Sequence, residues 1–200
     1  MDKEYHLIGN GRSASLFDQN VLKGVYTCNL PPFAVPQARA TFMVDFKMMR
    51  AIHEGSVTVP GDWIIGARPK KYTEMFPLFY LKYAPQISEI YTGIPNYAGN
   101  YTNFNCGHMG AYYLIERKHA KIIHMYGFDS LFNADLTSCT DFYLGSDRSH
   151  ENNIRLSNNW RPVWSGIFQE FPDVKFKVYY FKDVPKITFP ENVELIVKKP

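Results

Sequence analysis

The stretch YHLIGNGRSASLF, residues 5–17, decides the fold that this sequence predicts. Its first residues form an apolar run that is typical of a buried strand. The glycines that follow permit a tight turn and the close approach of another backbone. Ser13 is placed to cap a short helix directly after the turn. A strand, a glycine-rich turn and a helix in succession indicate either a plain tight connection or a cradle for a phosphate.

The rest of the chain alternates strand-like and helix-like segments. Strands are predicted at residues 4–9, 24–29, 39–45, 62–67, 121–129 and 174–181, with a shorter one at 88–93. Helices are predicted between them, including residues 46–55, 105–120 and 160–171. This alternation favours an α/β fold, Rossmann-like, with a mostly parallel sheet flanked by helices. We expect a single domain over residues 1–200, with the polar segment 133–153 as a short lid.

The composition excludes several classes of protein. Apolar residues make up 46% of the 200 residues, so the chain can bury a sizeable core, and a net charge of +3 is too small to predict a nucleic-acid surface. No apolar run approaches the roughly 20 residues of a membrane span. The N-terminal stretch does not resemble a signal peptide, and three cysteines without a metal-binding spacing suit a reducing compartment. We therefore expect a cytoplasmic protein.

Aromatic residues are unusually frequent, at 16% of the chain. Most buried aromatic rings serve packing, which is the favoured interpretation here. A pocket that stacks rings is the functional alternative. The tyrosine-rich segment at residues 91–104 could also form the surface of a homo-oligomer.

Ligands of parallel sheets bind beyond the carboxyl ends of the strands, and the residues at these positions are polar or rich in glycine. They are Gly9, Asn10, Gly11, Arg12 and Ser13 after the first strand, then Asn29, Asp45 and Asp129 after later ones. The predicted helix start at Asn105, Cys106 and Gly107, with Asn105 as the N-cap, adds backbone N–H groups that suit an anion. Together these positions predict one ligand-binding cleft. Asp45 has the competing, favoured interpretation of a helix N-cap.

The histidines predict no metal site. His6 and His53 stand alone in the sequence, and His119 and His124 lie on either side of a helix end. His108 falls in the first turn of a predicted helix, where a packing or capping role is favoured over catalysis. His150 lies in the polar segment and could act as a general base from a lid.

Three blocks of sequence resemble the bacterial lipooligosaccharide sialyltransferases. They are HLIGNGRS, YTCN and CGHMGAYYLIERKHAKIIHMYGFD, in this order. A related pattern occurs in motility-associated glycosyltransferase-like proteins and in archaeal-type hydroxymethylpterin pyrophosphokinases. This chain departs from the sialyltransferases at Arg12, where they have proline, and at Cys106, where they have serine.

The resemblance implies an enzyme that uses a nucleotide-activated sugar as its substrate, with no cofactor and no metal. By this resemblance Asn10 and Ser13 lie near the nucleotide phosphate, and Asn29 lies near the phosphate or the sugar. The segment 105–107 then holds the base or ribose, with Asp129 beside it as a second catalytic candidate. The catalytic histidine of the sialyltransferases corresponds most nearly to His150.

Two alternatives remain open at this point. A pyrophosphokinase-like enzyme would need Mg²⁺ and acidic ligands, for which Asp45 and Asp129 are available. A non-catalytic nucleotide-binding or assembly protein would need neither a base nor a metal.

Overall fold

The computed structural model of the chain describes residues 3–132 and 149–199. Within these residues one parallel sheet of eight strands runs through the molecule, in the order β5-β4-β3-β2-β1-β6-β7-β8. The strands are β1 (Glu4–Ile8), β2 (Val25–Cys28), β3 (Thr41–Met43), β4 (Trp63–Ile65), β5 (Ile87–Ile90), β6 (Ile122–Tyr126), β7 (Lys175–Tyr180) and β8 (Val193–Val197).

Five α-helices of the described residues flank this sheet. They are α1 (Phe46–His53), α2 (Ala67–Met75), α3 (Pro77–Tyr83), α4 (Cys106–Lys118) and α5 (His150–Glu170). Helices α4 and α5 share one apolar cluster with one face of the sheet, whereas α1, α2 and α3 pack on the other face. The predicted Rossmann-like α/β fold is therefore confirmed.

The order of the strands changes direction at β1. From β1 the chain adds strands β2 to β5 toward one edge, and it then returns to add β6, β7 and β8 on the other side. The loops after β1 and β6 therefore leave the sheet at a topological switch point, which is where open α/β sheets form their ligand crevice. The fold brings the turn at residues 9–13 and the turn at 127–129 together at this edge.

Helix α4 lies close to the sheet because it carries glycine at the contact. A Cβ atom on Gly110 would lie 2.8 Å from Cδ1 of Leu7 and 3.0 Å from the ring of Phe42. Both of these side chains are fully buried. The glycine therefore sets the distance between α4 and strands β1 and β3.

The structure differs from the sequence prediction in three elements. The turn after β1 continues as a 3₁₀ helix at Arg12–Leu16 whose N-cap is Gly11, so the prediction that Ser13 caps a helix here is wrong. Strand β8 was not predicted. Helix α5 begins ten residues before the predicted start at residue 160, and Ser149 caps it by accepting a hydrogen bond from the backbone N–H of Asn152. Residues 150–153 of the predicted lid are thus the first turn of α5, and residues 133–148 lie outside the described residues.

Candidate functional site

The turns after β1 and β6 are joined by backbone hydrogen bonds. The N–H of Gly9 donates to the carbonyl of Tyr126 at 2.7 Å, and the N–H of Gly11 donates to the carbonyl of Gly127 at 2.9 Å. A Cβ atom on Gly11 would lie 2.7 Å from Cγ of Asp129, so a larger residue would push the two turns apart. The parallel pairing of β1 and β6 therefore continues beyond the ends of the strands.

Ser13 and Asp129 bind each other at this switch point. The buried hydroxyl of Ser13 donates to the Asp129 carboxylate, and the Ser13 backbone N–H lies 3.2 Å from Oδ2 of the same group. The N–H of Gly127 in turn donates to Oγ of Ser13 at 3.1 Å. The carboxylate thus lies where an anion would meet the start of the 3₁₀ helix, and a ligand phosphate would have to displace it from Ser13.

Asn10 ties the turn after β1 to the turn after β2. Its side-chain amide donates to the carbonyls of Cys28 at 2.8 Å and Leu30 at 2.7 Å. Among the described residues the backbone N–H groups of Asn10 and Arg12 have no hydrogen-bond acceptor, and the exposed Arg12 side chain makes no ion pair. The N–H groups and the guanidinium of this turn are therefore available to an anion.

Asn29 follows β2 in a left-handed backbone conformation, with φ of 49°. Such a conformation is uncommon outside glycine but is tolerated best by asparagine. Its side-chain oxygen accepts a hydrogen bond from the Cys106 thiol, with 3.1 Å between Oδ1 and Sγ. Burial holds the pKa of Cys106 well above its usual value, so the thiol keeps its proton and acts as the donor. The amide nitrogen of Asn29 has no partner within the described part of the chain.

The start of α4 is fixed by a reciprocal cap. Oδ1 of Asn105 accepts from the His108 backbone N–H at 3.0 Å, and Nδ1 of His108 accepts from the Asn105 backbone N–H at 3.0 Å. Nε2 of His108 then donates to the carbonyl of Trp160 at 3.2 Å. Burial lowers the pKa of His108 to about 3, so the ring is neutral. The capping role predicted for both residues is confirmed.

The first turn of α4 also contacts the loop after β6. A Cβ atom on Gly107 would lie 2.3 Å from the ring of Phe128, so glycine is needed for this approach. The predicted positions at the end of β2, the end of β6 and the start of α4 therefore meet at one edge of the sheet.

Asp45 occupies the N-cap position of α1 but does not cap it with its side chain. Its carboxylate pairs with the guanidinium of Arg68 at 2.8 Å, and the same guanidinium donates to the carbonyl of Tyr101 at 3.3 Å. The predicted position is confirmed, whereas the expected capping hydrogen bond is replaced by an ion pair.

A cavity of about 610 Å³ lies on the face of the sheet opposite α4 and α5. Its floor includes Thr27 and Thr41, whose hydroxyl oxygens are 2.8 Å apart. Its walls come from the proline-rich segment 30–36 and from residues 56–62, and Asn29 lines one side. Sequence reasoning missed this cavity, although two threonines inside otherwise apolar strands were a signal that a polar space adjoins the sheet.

His150 lies apart from the switch point. It is the first residue of α5, whereas Arg161 of the same helix donates to the carbonyl of Ser130 at 2.8 Å. Eleven residues of helix correspond to roughly 16 Å along the axis. This spacing separates the predicted base from the turn that carries Asp129.

The expectation that His6 stands alone is wrong. His6 pairs directly with His124 across strands β1 and β6, and the centroids of the two rings are 4.4 Å apart. The two residues are distant in sequence, and only the strand register brings them together.

The predicted aromatic surface is partly packed. Tyr91 is buried, and Tyr97 and Tyr101 are 40% and 41% exposed. Leu78 and Leu81 of α3 are more exposed, at 81% and 69%. Within the described residues no helix has both the length and the apolar character to span a membrane.

Comparison with protein-family models, with curated proteins and with solved structures finds no match to this chain. The fold and the geometry of the site therefore define the class, a Rossmann-like α/β protein with polar residues gathered at the carboxyl edge of its sheet. The resemblance to sialyltransferases stays a prediction from sequence motifs.

Proposed function

We propose that the chain is a glycosyltransferase-type enzyme that binds a nucleotide-activated sugar at the carboxyl edge of its sheet. The observation that carries this proposal is the position of Asn29. Its side chain accepts a hydrogen bond from the first residue of α4, and the residue is also part of the lining of the 610 Å³ cavity. A ligand bound there can contact the anion-binding edge and the cavity at the same time.

The phosphates of the ligand meet hydrogen-bond donors on this edge. The amide nitrogen of Asn29 and the backbone N–H groups of Asn10 and Arg12 are without a protein acceptor in the described ranges. The guanidinium of Arg12 adds a positive charge, and the N-terminus of α4 contributes the positive end of its dipole. The carboxylates of Asp45 and Asp129 are held by Arg68 and Ser13, so they oppose the phosphate less than free carboxylates would.

The cavity beside Asn29 accommodates the uncharged part of the ligand. Its volume falls in the range of about 300–1,000 Å³ that small-molecule sites occupy. Apolar side chains such as Val35 and Val57 line it, and the hydroxyls of Thr27 and Thr41 supply hydrogen bonds at its floor. A nucleoside base or a sugar has this combination of apolar faces and hydrogen-bonding edges.

Transfer from such a donor breaks the bond between the anomeric carbon and the phosphate oxygen. The electron pair stays on the phosphate, where the donors around Asn29 and Arg12 stabilise it. An acceptor hydroxyl forms the new bond to the anomeric carbon and gives its proton to a base. The sequence predicts His150 for this role, and its place at the start of α5 requires the acceptor to bind away from the turn that carries Asp129.

The Mg²⁺-dependent alternative is less well supported. Its two acidic ligands would be Asp45 and Asp129, and each already has a protein partner that a metal would have to displace. The assembly alternative predicts that no nucleotide binds. One experiment distinguishes all three.

The test is a thermal-shift panel of nucleoside mono- and diphosphates and their sugar conjugates, with and without Mg²⁺. A ligand at 100 times its dissociation constant stabilises the folded state by about 2.7 kcal/mol. Asn29→Asp keeps the shape of the side chain but replaces the N–H donors by an anionic oxygen. We expect the wild type to be stabilised without Mg²⁺, and the variant to lose that stabilisation.

Asn96→Asp is the matched control, because it makes the same change of charge at an exposed residue on a different loop. It should respond to the ligand as the wild type does. Stabilisation that needs Mg²⁺ would favour the pyrophosphokinase-like enzyme. The proposal fails if no member of the panel raises the melting temperature, or if Asn29→Asp responds like the wild type.

A further inference from the structure

Three side chains with metal-binding chemistry lie together on the central strands β1 and β6. Glu4 and His6 are two residues apart on β1 and therefore point to the same face of the sheet. His124 on β6 pairs directly with His6. Each of the three offers a ligand atom, and these atoms all lie within 4.8 Å of one another. This cluster is distinct from the carboxyl edge where the nucleotide is proposed to bind.

Each histidine ring forms a hydrogen bond with a tyrosine hydroxyl through its Nδ1 atom. Nδ1 of His124 lies 2.9 Å from the hydroxyl of Tyr179, and Nδ1 of His6 lies 3.2 Å from the hydroxyl of Tyr126. These contacts leave Nε2 of each ring for another partner. In metal sites the second ring nitrogen is almost always fixed by such an outer contact.

The Glu4 carboxylate completes the set of ligands. It forms a hydrogen bond with Nε2 of His124, and its side chain is 39% exposed. His124 is buried at the base of the cluster, so an ion can approach from the side of Glu4.

We propose that Glu4, His6 and His124 form a binding site for a divalent transition metal of the zinc class. Two imidazoles and one carboxylate are a ligand set that zinc uses in sites with an open fourth position. Imidazole nitrogen selects this class of ion over Mg²⁺ and Ca²⁺, which prefer oxygen ligands alone.

Binding requires a change of tautomer at His124. Its Nε2 carries the proton of the hydrogen bond to Glu4, and that proton moves to Nδ1 when the metal takes Nε2. Nδ1 then donates to Tyr179, whose hydroxyl can accept as well as donate. The exposed end of Glu4 moves outward, and the stacked rings rotate so that their lone pairs converge on the ion at about 2.0–2.1 Å.

Two positive charges, those of Lys177 and Lys198, act on His124 and oppose the ion. Lys177 on β7 pairs with His124 in the strand register, and its charge acts on both Glu4 and His124. We expect Lys177→Met to bind the metal severalfold more tightly than the wild type, because it removes this repulsion.

The test uses full-length protein without a histidine tag and ZnCl₂ as the probe. Titration calorimetry should give one Zn²⁺ per chain for the wild type. Glu4→Gln and His6→Gln should each weaken binding by at least about tenfold, since they remove a ligand, and Tyr179→Phe by about 10–100-fold through the outer contact. Co²⁺ gives a second readout, because its visible absorption reports the geometry of its ligands.

His53→Gln is the matched control. His53 is an exposed histidine whose Nδ1 also meets a tyrosine hydroxyl, 2.7 Å away on Tyr72, but it belongs to no such cluster in the described residues. It should bind Zn²⁺ like the wild type. Unchanged melting temperatures of the Glu4 and His6 variants without metal will show that they fold. The proposal is overturned if the wild type binds no Zn²⁺, or if these two variants bind it as the wild type does.

Discussion

At the scale of single residues, His108 links the start of α4 to helix α5. It is fully buried, accepts a hydrogen bond from the backbone of Asn105 and donates one to the carbonyl of Trp160. A protonated ring could not accept a hydrogen bond at Nδ1. Its positive charge would also be buried, and neither of the two backbone groups that bind the ring carries a negative charge. The neutral ring is therefore part of the folded structure.

This arrangement predicts a loss of stability in acid. The pKa of His108 is about 3 in the folded chain, against 6.5 for an ordinary histidine. As the pH falls below 6.5, His108 becomes protonated in the unfolded chain. In the folded chain it stays neutral until the pH reaches about 3. The contribution of the neutral His108 ring to the free energy of unfolding is therefore complete above pH 6.5, and it declines as the pH falls from 6.5 to about 3. Between pH 7.5 and pH 5 the free energy of unfolding should fall by about 2 kcal/mol through this residue.

The variant His108→Gln separates this residue from the other titrating groups. Glutamine can accept the capping hydrogen bond at the same position of a helix but does not titrate. Urea unfolding at pH 7.5 and pH 5 should show a pH dependence about 2 kcal/mol smaller for the variant than for the wild type. An equal pH dependence in the two proteins would contradict the assignment.

The residue scale is also where the sequence predicted the site best. The polar positions after the strands follow from the pattern alone, and Asn105 was recognised as a cap from its place before an apolar run. The sequence could not predict the partners of these residues. Ser13 and Asp129 are 116 positions apart, and their hydrogen bond depends on which strands become neighbours.

At the scale of elements, glycines decide how closely helices approach their neighbours. Gly110 of α4 faces Leu7 and Phe42, whereas Gly166 of α5 faces the ring of Tyr97, with a Cβ atom 2.5 Å from Cδ2. Helix propensity alone predicts that alanine stabilises both positions by up to about 1 kcal/mol. Packing predicts a different result for each.

Gly110→Ala should destabilise the protein by about 1–3 kcal/mol, because the two side chains that it meets are fully buried and cannot move away. Gly166→Ala should stay within about 1 kcal/mol of the wild type, since the Tyr97 ring is 40% exposed and can move. Denaturant midpoints of both variants provide the measurement. If both variants lose the same free energy of unfolding, contact with the sheet does not determine how much a glycine-to-alanine change destabilises the protein.

Elements with strong local patterns were predicted, and those that depend on distant contacts were not. Strand β6 is apolar apart from His124, and such a run is typical of a strand buried on both faces. Strand β8 has only one buried residue, Val193, and it exists because it pairs with β7 at the edge of the sheet. The first ten residues of α5 are polar apart from Ile154 and Leu156, so the pattern indicated a loop. A serine cap and packing of the later turns extend the helix instead.

At the scale of the whole molecule, strand order creates both proposed sites. The change of direction at β1 gathers the turns after β1, β2 and β6 at one edge. The same β1–β6 pairing brings His6 against His124 at the middle of these strands. The fold class was predicted from alternation, but the register of β1 against β6 could not be read from the sequence. For that reason the histidine cluster was missed.

The central claim is that a nucleotide-type ligand binds along the carboxyl edge beside Asn29. The most direct measurement is hydrogen–deuterium exchange, read by mass spectrometry, with and without the most stabilising nucleotide of the panel. Exchange should slow in peptides that cover residues 9–13, 28–33 and 104–108, because the ligand binds the N–H groups of this edge and closes the cavity beside it. Unchanged exchange in these three peptides, with slowing confined to other parts of the chain, would contradict the account.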